Sequence, residues 1–466
     1  MVTIHQDFRP RSIWNLIWPQ MVMMYSVVLT GLTAVWTAGQ INADTQGALG
    51  MVNQCSFFLM VVIMAISSGA TAAVSQSLGA NNVQRAKRYI QITIFGSLML
   101  GLLFAFLGYK HGTPVLRLLQ VPEEIIPLAS SMWDWMMFAL PAQHVYAATG
   151  VIFRATRQVI PPLWIGLFIN IVNPLLCLGL GLGFFGLPKM GYVGLLLANI
   201  IAQTLGAILN CLLLIRSKYL DQLTLPSVRW LKKGLPYLLQ VALPAGLASF
   251  VWQTGYLMLF VLVASVPTNG VAALAGLTAG LRIESMLFLP GMAVNSSIAV
   301  IVGNCLGAGD EEKARRLALI ITLITTVALS LVAIVIWPLR GQIAQAFAQD
   351  LATQEHIIIY LTYNLISTPF SIASTVMGGV MVGAGATQYN LAVYGGCSWL
   401  IRLPLGFILG HKVLGTAEGI FCAMLISQII QACLMVLVIK YCSWTHYTLH
   451  KHKSQQNDKD AHESSH

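Results

Sequence analysis

An all-α polytopic membrane protein is what this sequence predicts, with twelve transmembrane helices in two pseudo-twofold-related six-helix lobes. Three observations carry that expectation. Of 466 residues, 57% are hydrophobic and only 9% are charged, against about 25% charged in a soluble domain. Apolar runs of spanning length, about 20 residues each, recur twelve times between short polar loops. The third observation is an internal echo. Gly69–Arg88 (GATAAVSQSLGANNVQRAKR) returns as Ser297–Arg316 (SIAVIVGNCLGAGDEEKARR), 228 positions on. Val74, Leu78, Gly79, Ala80, Ala86 and Arg88 fall on Val302, Leu306, Gly307, Ala308, Ala314 and Arg316. A duplication of this length implies two versions of one unit, with function expected where they face each other.

The spans are expected near 12–38, 50–77, 88–109, 125–152, 160–185, 191–215, 236–265, 270–305, 315–338, 353–381, 388–409 and 415–440. The apolar run after Arg11 is too long for a cleavable signal, and a second span soon follows. In both copies of the echo an apolar helix runs out at Leu-Gly-Ala. Gly79 and Gly307 suit those ends, because glycine enters the left-handed region without a Cβ clash. They are read as hinge or gate points, with helix capping as the plainer alternative. Prolines keep the same register: Pro19 with Pro244, Pro141 with Pro369, and Pro174 with Pro404. A proline inside a span removes one backbone hydrogen bond and bends the helix. Pro141, Pro174, Pro369 and Pro404 are therefore further hinge candidates. Gly194 with Gly419 and Gln203 with Gln428 extend the match into the sixth span of each half. The domains expected are a lobe over 1–215, a cytoplasmic linker over 216–234, a second lobe over 235–440 and a disordered cytoplasmic tail over 441–466.

The net charge of +10 does not point to nucleic acid, because the Lys and Arg lie in loops where they set topology. With the N-terminus inside, inner segments hold 19 of the 26 Lys and Arg and outer loops hold 5, leaving Arg282 and Arg402 within spans. That bias places both termini in the cytoplasm, and the membrane expected is the inner (plasma) membrane. The eight cysteines are scattered, mostly in apolar runs, and no pair has CxxC or zinc spacing. No GxxxxGK[ST] phosphate loop occurs.

Val302–Asp310 (VGNCLGAGD), its copy Val74–Asn82 (VSQSLGANN), Gly383–Thr387 (GAGAT) followed by Arg402–Leu405 (RLPL), and Leu281–Ser285 (LRIES) resemble the multidrug and toxic compound extrusion (MATE) family. The resemblance runs from about Pro19 to Lys440. It implies a secondary antiporter, without cofactor, that expels small organic and often cationic compounds in exchange for H+ or Na+. Two lobes would rock about a central cavity, and a monomer in the lipid bilayer would suffice. Two departures stand out. Many members carry an aspartate in the first span where this chain has Ala34. The seventh and tenth spans offer Gln240, Gln253 and Asn364, with no carboxylate until Glu355.

Ion coupling must then use other residues or be absent. Charge inside a bilayer is costly and usually functional, and two acids lie deep in spans, Asp134 and Glu284. Glu284 is the favoured coupling acid. The competing reading is a fixed brace with Arg282 or Arg402. Asp134 lies between Trp133 and Trp135, which suits either a cation site or an interfacial anchor. His144, just after Pro141, suits proton relay or a plain buried histidine. Arg402 is a further cavity candidate, expected to brace carbonyls freed by Pro404 rather than to contact a cationic substrate. Asn170 and Asn173 flank Pro174 and suit either freed backbone groups or a cavity wall. Trp36, Gln253, Tyr256 and Arg282 complete the candidate cavity lining, with core packing as the alternative for the first three.

Two other functions compete. A lipid-linked oligosaccharide flippase of the same superfamily should line its cavity with several arginines, and only Arg282 and Arg402 lie within spans. A membrane transferase should show a catalytic cluster at one face, and none is evident.

Overall fold

The computed structural model describes residues 9–118, 121, 123–220 and 226–449. Twelve helices among them are long and apolar enough to cross a membrane. We label them α1 (Pro10–Ile41), α2 (Ala43–Gly79), α3 (Val83–Leu118), α4 (Ile126–Ala155), α5 (Ile160–Leu182), α6 (Tyr192–Arg216), α7 (Val228–Ala264), α8 (Gly270–Gly307), α9 (Glu311–Ile336), α10 (Leu351–Ala384), α11 (Thr387–Val413) and α12 (Ala417–Tyr441). A turn at Trp337–Leu339 and a short helix, Arg340–Phe347, lie between α9 and α10.

The chain forms two compact units that divide between Leu239 and Gln240. The division lies inside α7, later than the 216–234 segment where the linker was expected. Residues 221–225 of that segment lie outside the described residues. The opening turns of α7 pack on the first unit. The Trp230 ring meets Tyr89 edge-on and lies under the Arg88 guanidinium, 4.9 Å from its centroid. Tyr237 Oη donates to Gln76 Oε1 at 3.1 Å. The second unit has a comparable clasp. Arg315 lies over Trp444 at 5.0 Å, and its Nη1 donates to the Ile439 carbonyl at 2.6 Å. Trp444 is fully buried, in a short turn over Trp444–Tyr447. The tail expected from 441 is therefore structured through 449, because this indole gives it an anchor. Residues 450–466 lie outside the described residues.

The internal echo is a geometric repeat, with one correction. Gly79 and Gly307 are the last helical residues of α2 and α8, and neither is left-handed. The left-handed positions come two residues later, at Asn81 (φ 54) and Gly309 (φ 82), again 228 apart. Asn82 N–H reaches back to the Ser77 carbonyl, and Asp310 N–H to the Cys305 carbonyl. These six-to-one bonds close the helix ends. The same two residues then cap the next helices: Asn82 Oδ1 accepts from Arg85 N–H at 2.9 Å, and Asp310 Oδ1 from Lys313 N–H at 3.0 Å. Asn tolerates a left-handed backbone where other side chains resist it. We expect Gly309→Ala to cost about 1 kcal/mol and Asn81→Gly to cost nothing, as read by thermal melting of the purified protein. A melt in which Gly309→Ala matches wild type would mean that the turn relaxes freely.

The hinge prolines Pro141, Pro174 and Pro369 lie inside continuous helices. Pro174 leaves the Asn170 carbonyl without its helical donor, and Thr30 Oγ1 of α1 donates to it at 3.2 Å. Pro404 lies in a helix of different winding. Within α11, Leu391–Gly395, Cys397–Arg402 and Ile408–Val413 are π-helical, whereas its counterpart α5 is regular α-helix. Inserted π turns shift which side chains face a neighbour and recur at functional sites.

Candidate functional site

Within the second unit, α8 and α10 run side by side at a constant offset of 80 positions. Gly276 faces His356, Gly280 faces the Tyr360 ring, and Asn295 Nδ2 donates to the Thr375 carbonyl at 2.6 Å. Small residues at the contact let two helices approach closely in a membrane. A Cβ at Gly280 would lie 2.8 Å from Tyr360 Cε1, so glycine there admits the ring.

One turn after Gly280 comes Glu284. Tyr360 Oη donates to its Oε2, and the Asn364 side chain makes a second hydrogen bond to the carboxylate. Tyr360 and Asn364 are one turn apart on α10, as Gly280 and Glu284 are on α8, so the two pairs face each other in register. Tyr360 is buried and meets Phe421 of α12 edge-on at 5.2 Å. That packing fixes the phenol and aims its hydroxyl.

The nearby positive charge is Arg402, which is 3% exposed. Its Nε donates to Ser427 Oγ of α12 at 2.9 Å, in place of the carbonyls freed by Pro404. The guanidinium also reaches Tyr256, by a side-chain hydrogen bond and over the ring face at 5.8 Å. It lies within electrostatic range of Glu284 but forms no salt bridge with it among the described residues. The second π-helical stretch of α11 ends at Arg402. Arg282 is different. It is exposed and is not a partner of Glu284, because residues two apart point to different faces of a helix. The expected Glu284–Arg282 brace is therefore absent.

The assembly is one half-buried carboxyl group held by a phenol and an amide, with a tethered guanidinium nearby. Such a group can exist charged or neutral at modest structural cost, since both forms keep hydrogen-bond partners.

The remaining candidates lie apart from it. Tyr256 belongs to the cluster and meets Trp252 at a tilt of 51°, ring centroids 4.5 Å apart, while Gln253 is half-buried on α7 outside it. Asp134 is half-buried on α4 and bonds no described residue. Its neighbours do not form an aromatic cage. Trp133 is buried in the core of the first unit and donates to the Gly108 carbonyl at 2.9 Å, while Trp135 meets Phe138. His144 is 1% exposed, its Nδ1 is 2.9 Å from the Leu140 carbonyl, and its Nε2 is buried without a partner. Asn170 joins α5 to α1 by donating to Ser26 Oγ at 2.7 Å. Asn173 is buried, and its Oδ1 lies 3.4 Å from Cys177 Sγ. Trp36 is 54% exposed on α1.

Sequence reasoning singled out Glu284 and Arg402 but missed Tyr360 and Ser427. The available signal was a pair of matched one-turn spacings, Gly280/Glu284 and Tyr360/Asn364, on two spans.

Comparison with known proteins agrees with the fold. The MatE family model matches residues 19–178 and 244–408, one segment in each unit. A probable multidrug resistance protein NorM of Thermotoga maritima is 24% identical over 423 residues, covering 90% of this chain and 89% of the relative. Protein DETOXIFICATION 37 of Arabidopsis thaliana is 24% identical over 413 residues, covering 87% and 80%. The crystal structure of the Vibrio cholerae MATE transporter VcmN in its bent form superposes with a TM-score of 0.85 at 20% identity, covering 94% of this chain and 98% of that one. With both repeat segments matched, this chain is a member of the MatE family.

Proposed function

We propose that this protein is a secondary active antiporter of the inner (plasma) membrane. It exports small organic, typically cationic compounds in exchange for H+ or Na+, works as a monomer by alternating access, and keeps both termini in the cytoplasm. The names of its relatives, multidrug resistance and detoxification proteins, support the export of foreign compounds. The observation that carries the coupling is Glu284. It is an acid placed in a span, hydrogen-bonded by Tyr360 and Asn364, on a chain whose first span has Ala34 where many members have an aspartate.

The proton fits this site better than sodium. Sodium would need several oxygen ligands around a cation, and Arg402 already supplies positive charge within range. A proton needs only the carboxylate. On protonation Glu284 gives up its charge and Arg402 keeps its own, so the net charge of the cluster rises by one. An entering organic cation would favour the deprotonated form by the same electrostatics. Arg402, tied to Ser427 and Tyr256, is not free to hold the pyrophosphate head of a lipid-linked sugar, which weighs against the flippase reading.

Ethidium transport into proteoliposomes tests the reading. We expect uptake to follow an imposed ΔpH and to be several-fold smaller under a Na+ gradient alone. Equal ethidium movement with and without any gradient would overturn the antiport.

A further inference from the structure

The first unit contains a crevice among α1, the end of α4 and the start of α5, with a volume of about 100 Å³. Its walls include Pro19, Met23, Met24, Phe153, Val159 and Leu163. The one charged group on it is Arg154. No hydrogen bond or ion pair joins that guanidinium to a described residue, and Gly150, one turn earlier on the same helix, leaves room beside it, since an added Cβ would sit 3.8 Å from Nη1. Arg154 is the last residue but one of α4, at the end of the span, and a half-buried guanidinium on an apolar wall calls for a counter-charge.

The repeat shows that the fold does not require this arginine. At the shift of 228, Arg154 answers Val382, and Arg157 answers Gly385. Arg157 and Gly385 share a left-handed backbone, φ 61 and 79, so the first unit keeps an arginine where its twin has the residue the backbone prefers. In the second unit the same corner is closed by its own side chains. Thr387 Oγ1 donates to the Val241 carbonyl at 2.7 Å, and Asn390 Nδ2 to the Gly378 carbonyl at 3.0 Å. One twin ties this corner to its own backbone with neutral side chains, and the other keeps a charge and a gap.

We propose that this crevice is a binding site for the phosphate head of an anionic phospholipid, with Arg154 as the counter-charge. Its volume corresponds to about three water molecules and lies below the range of drug-sized pockets, so it admits a compact head and excludes a transported compound. The apolar wall continues onto exposed Ile160 and Trp164 of α5, a surface an acyl chain can follow. On the topology proposed above, the lipid comes from the cytoplasmic leaflet.

Native mass spectrometry of the full-length protein tests this, with phosphatidylglycerol and phosphatidylcholine as probes. Wild type should retain one phosphatidylglycerol with a preference of about fivefold or more. Arg154→Val, which installs the residue of the twin, should lose that preference, while Arg154→Lys should keep part of it. Met24→Trp, which fills the crevice and leaves the charge, should lose it too, and this variant decides the matter if Arg154→Val does not fold. An unchanged preference in either Arg154→Val or Met24→Trp overturns the site. Displacement of the lipid by millimolar inorganic phosphate would make it a soluble-anion site and overturn the assignment to a membrane lipid.

Discussion

Glu284→Gln should abolish the dependence of transport on ΔpH, with proton-driven ethidium movement falling by about 10- to 100-fold, while the protein remains folded. The substitution keeps the shape of the side chain and an oxygen for the Tyr360 hydroxyl. It removes a charge from within a span, which relieves a desolvation cost. Thermal stability should therefore equal or exceed that of wild type. Two further variants separate coupling from bracing. Tyr360→Phe deletes one donor to the carboxylate but keeps the edge-on contact with Phe421, so it should shift the pH at which transport is half-maximal. Arg402→Ala should lose stability, since it empties a buried position bonded to Ser427 and packed on Tyr256. If Glu284→Gln lowered the melting temperature as much as Arg402→Ala and left ΔpH-driven transport intact, the acid would be a structural brace.

Much of the fold was legible because its signals are local. Apolar length marks a span whatever its neighbours are, and the duplicated motif marks paired turns. The motif also misled in one respect. Gly79 and Gly307 were the obvious places for left-handed residues, yet a helix end closed by a six-to-one bond puts that residue later, at Asn81 and Gly309. Asparagine hides such a position because it tolerates the conformation without announcing it. The site was legible in part for a different reason. Glu284 and Arg402 are charges in apolar runs and are conspicuous. Tyr360 is an aromatic among apolar residues and reads as core, which it also is. Its role depends on the register of α8 against α10, a relation between helices that no single helix displays. The π-helical winding that ends at Arg402 is likewise invisible in the hydrophobic pattern.

That register rests on glycines, and breaking it should have a large structural effect. At Gly383 an added Cβ would collide with the Ala299 carbonyl oxygen and lie 2.9 Å from its carbon. At Gly379 it would collide with the Asn295 carbonyl and lie 2.8 Å from Ile298 Cγ2. Backbone cannot step aside as a flexible side chain does, so α8 and α10 must separate. Alanine gains up to about 1 kcal/mol of helix propensity, against an overpacking cost of about 1–3 kcal/mol or more. Gly383→Ala alone should therefore lower the melting temperature by several degrees, and the Gly379→Ala/Gly383→Ala pair should leave little folded protein in detergent. Gly31→Ala is the control, because nothing lies within 4 Å of its added Cβ, and it should melt at or above the wild-type temperature. The damage should also reach the coupling acid. The contacts at Asn295 and Ala299 lie on the same helix pair as Gly280 against Tyr360, so separating the helices draws the phenol from Glu284. Where Gly383→Ala still folds, its transport should depend less steeply on ΔpH than that of Gly31→Ala. A Gly383→Ala protein that melts with wild type and transports like it would show that the two helices are not held by close backbone contact, and the alignment of Tyr360 with Glu284 would need another cause.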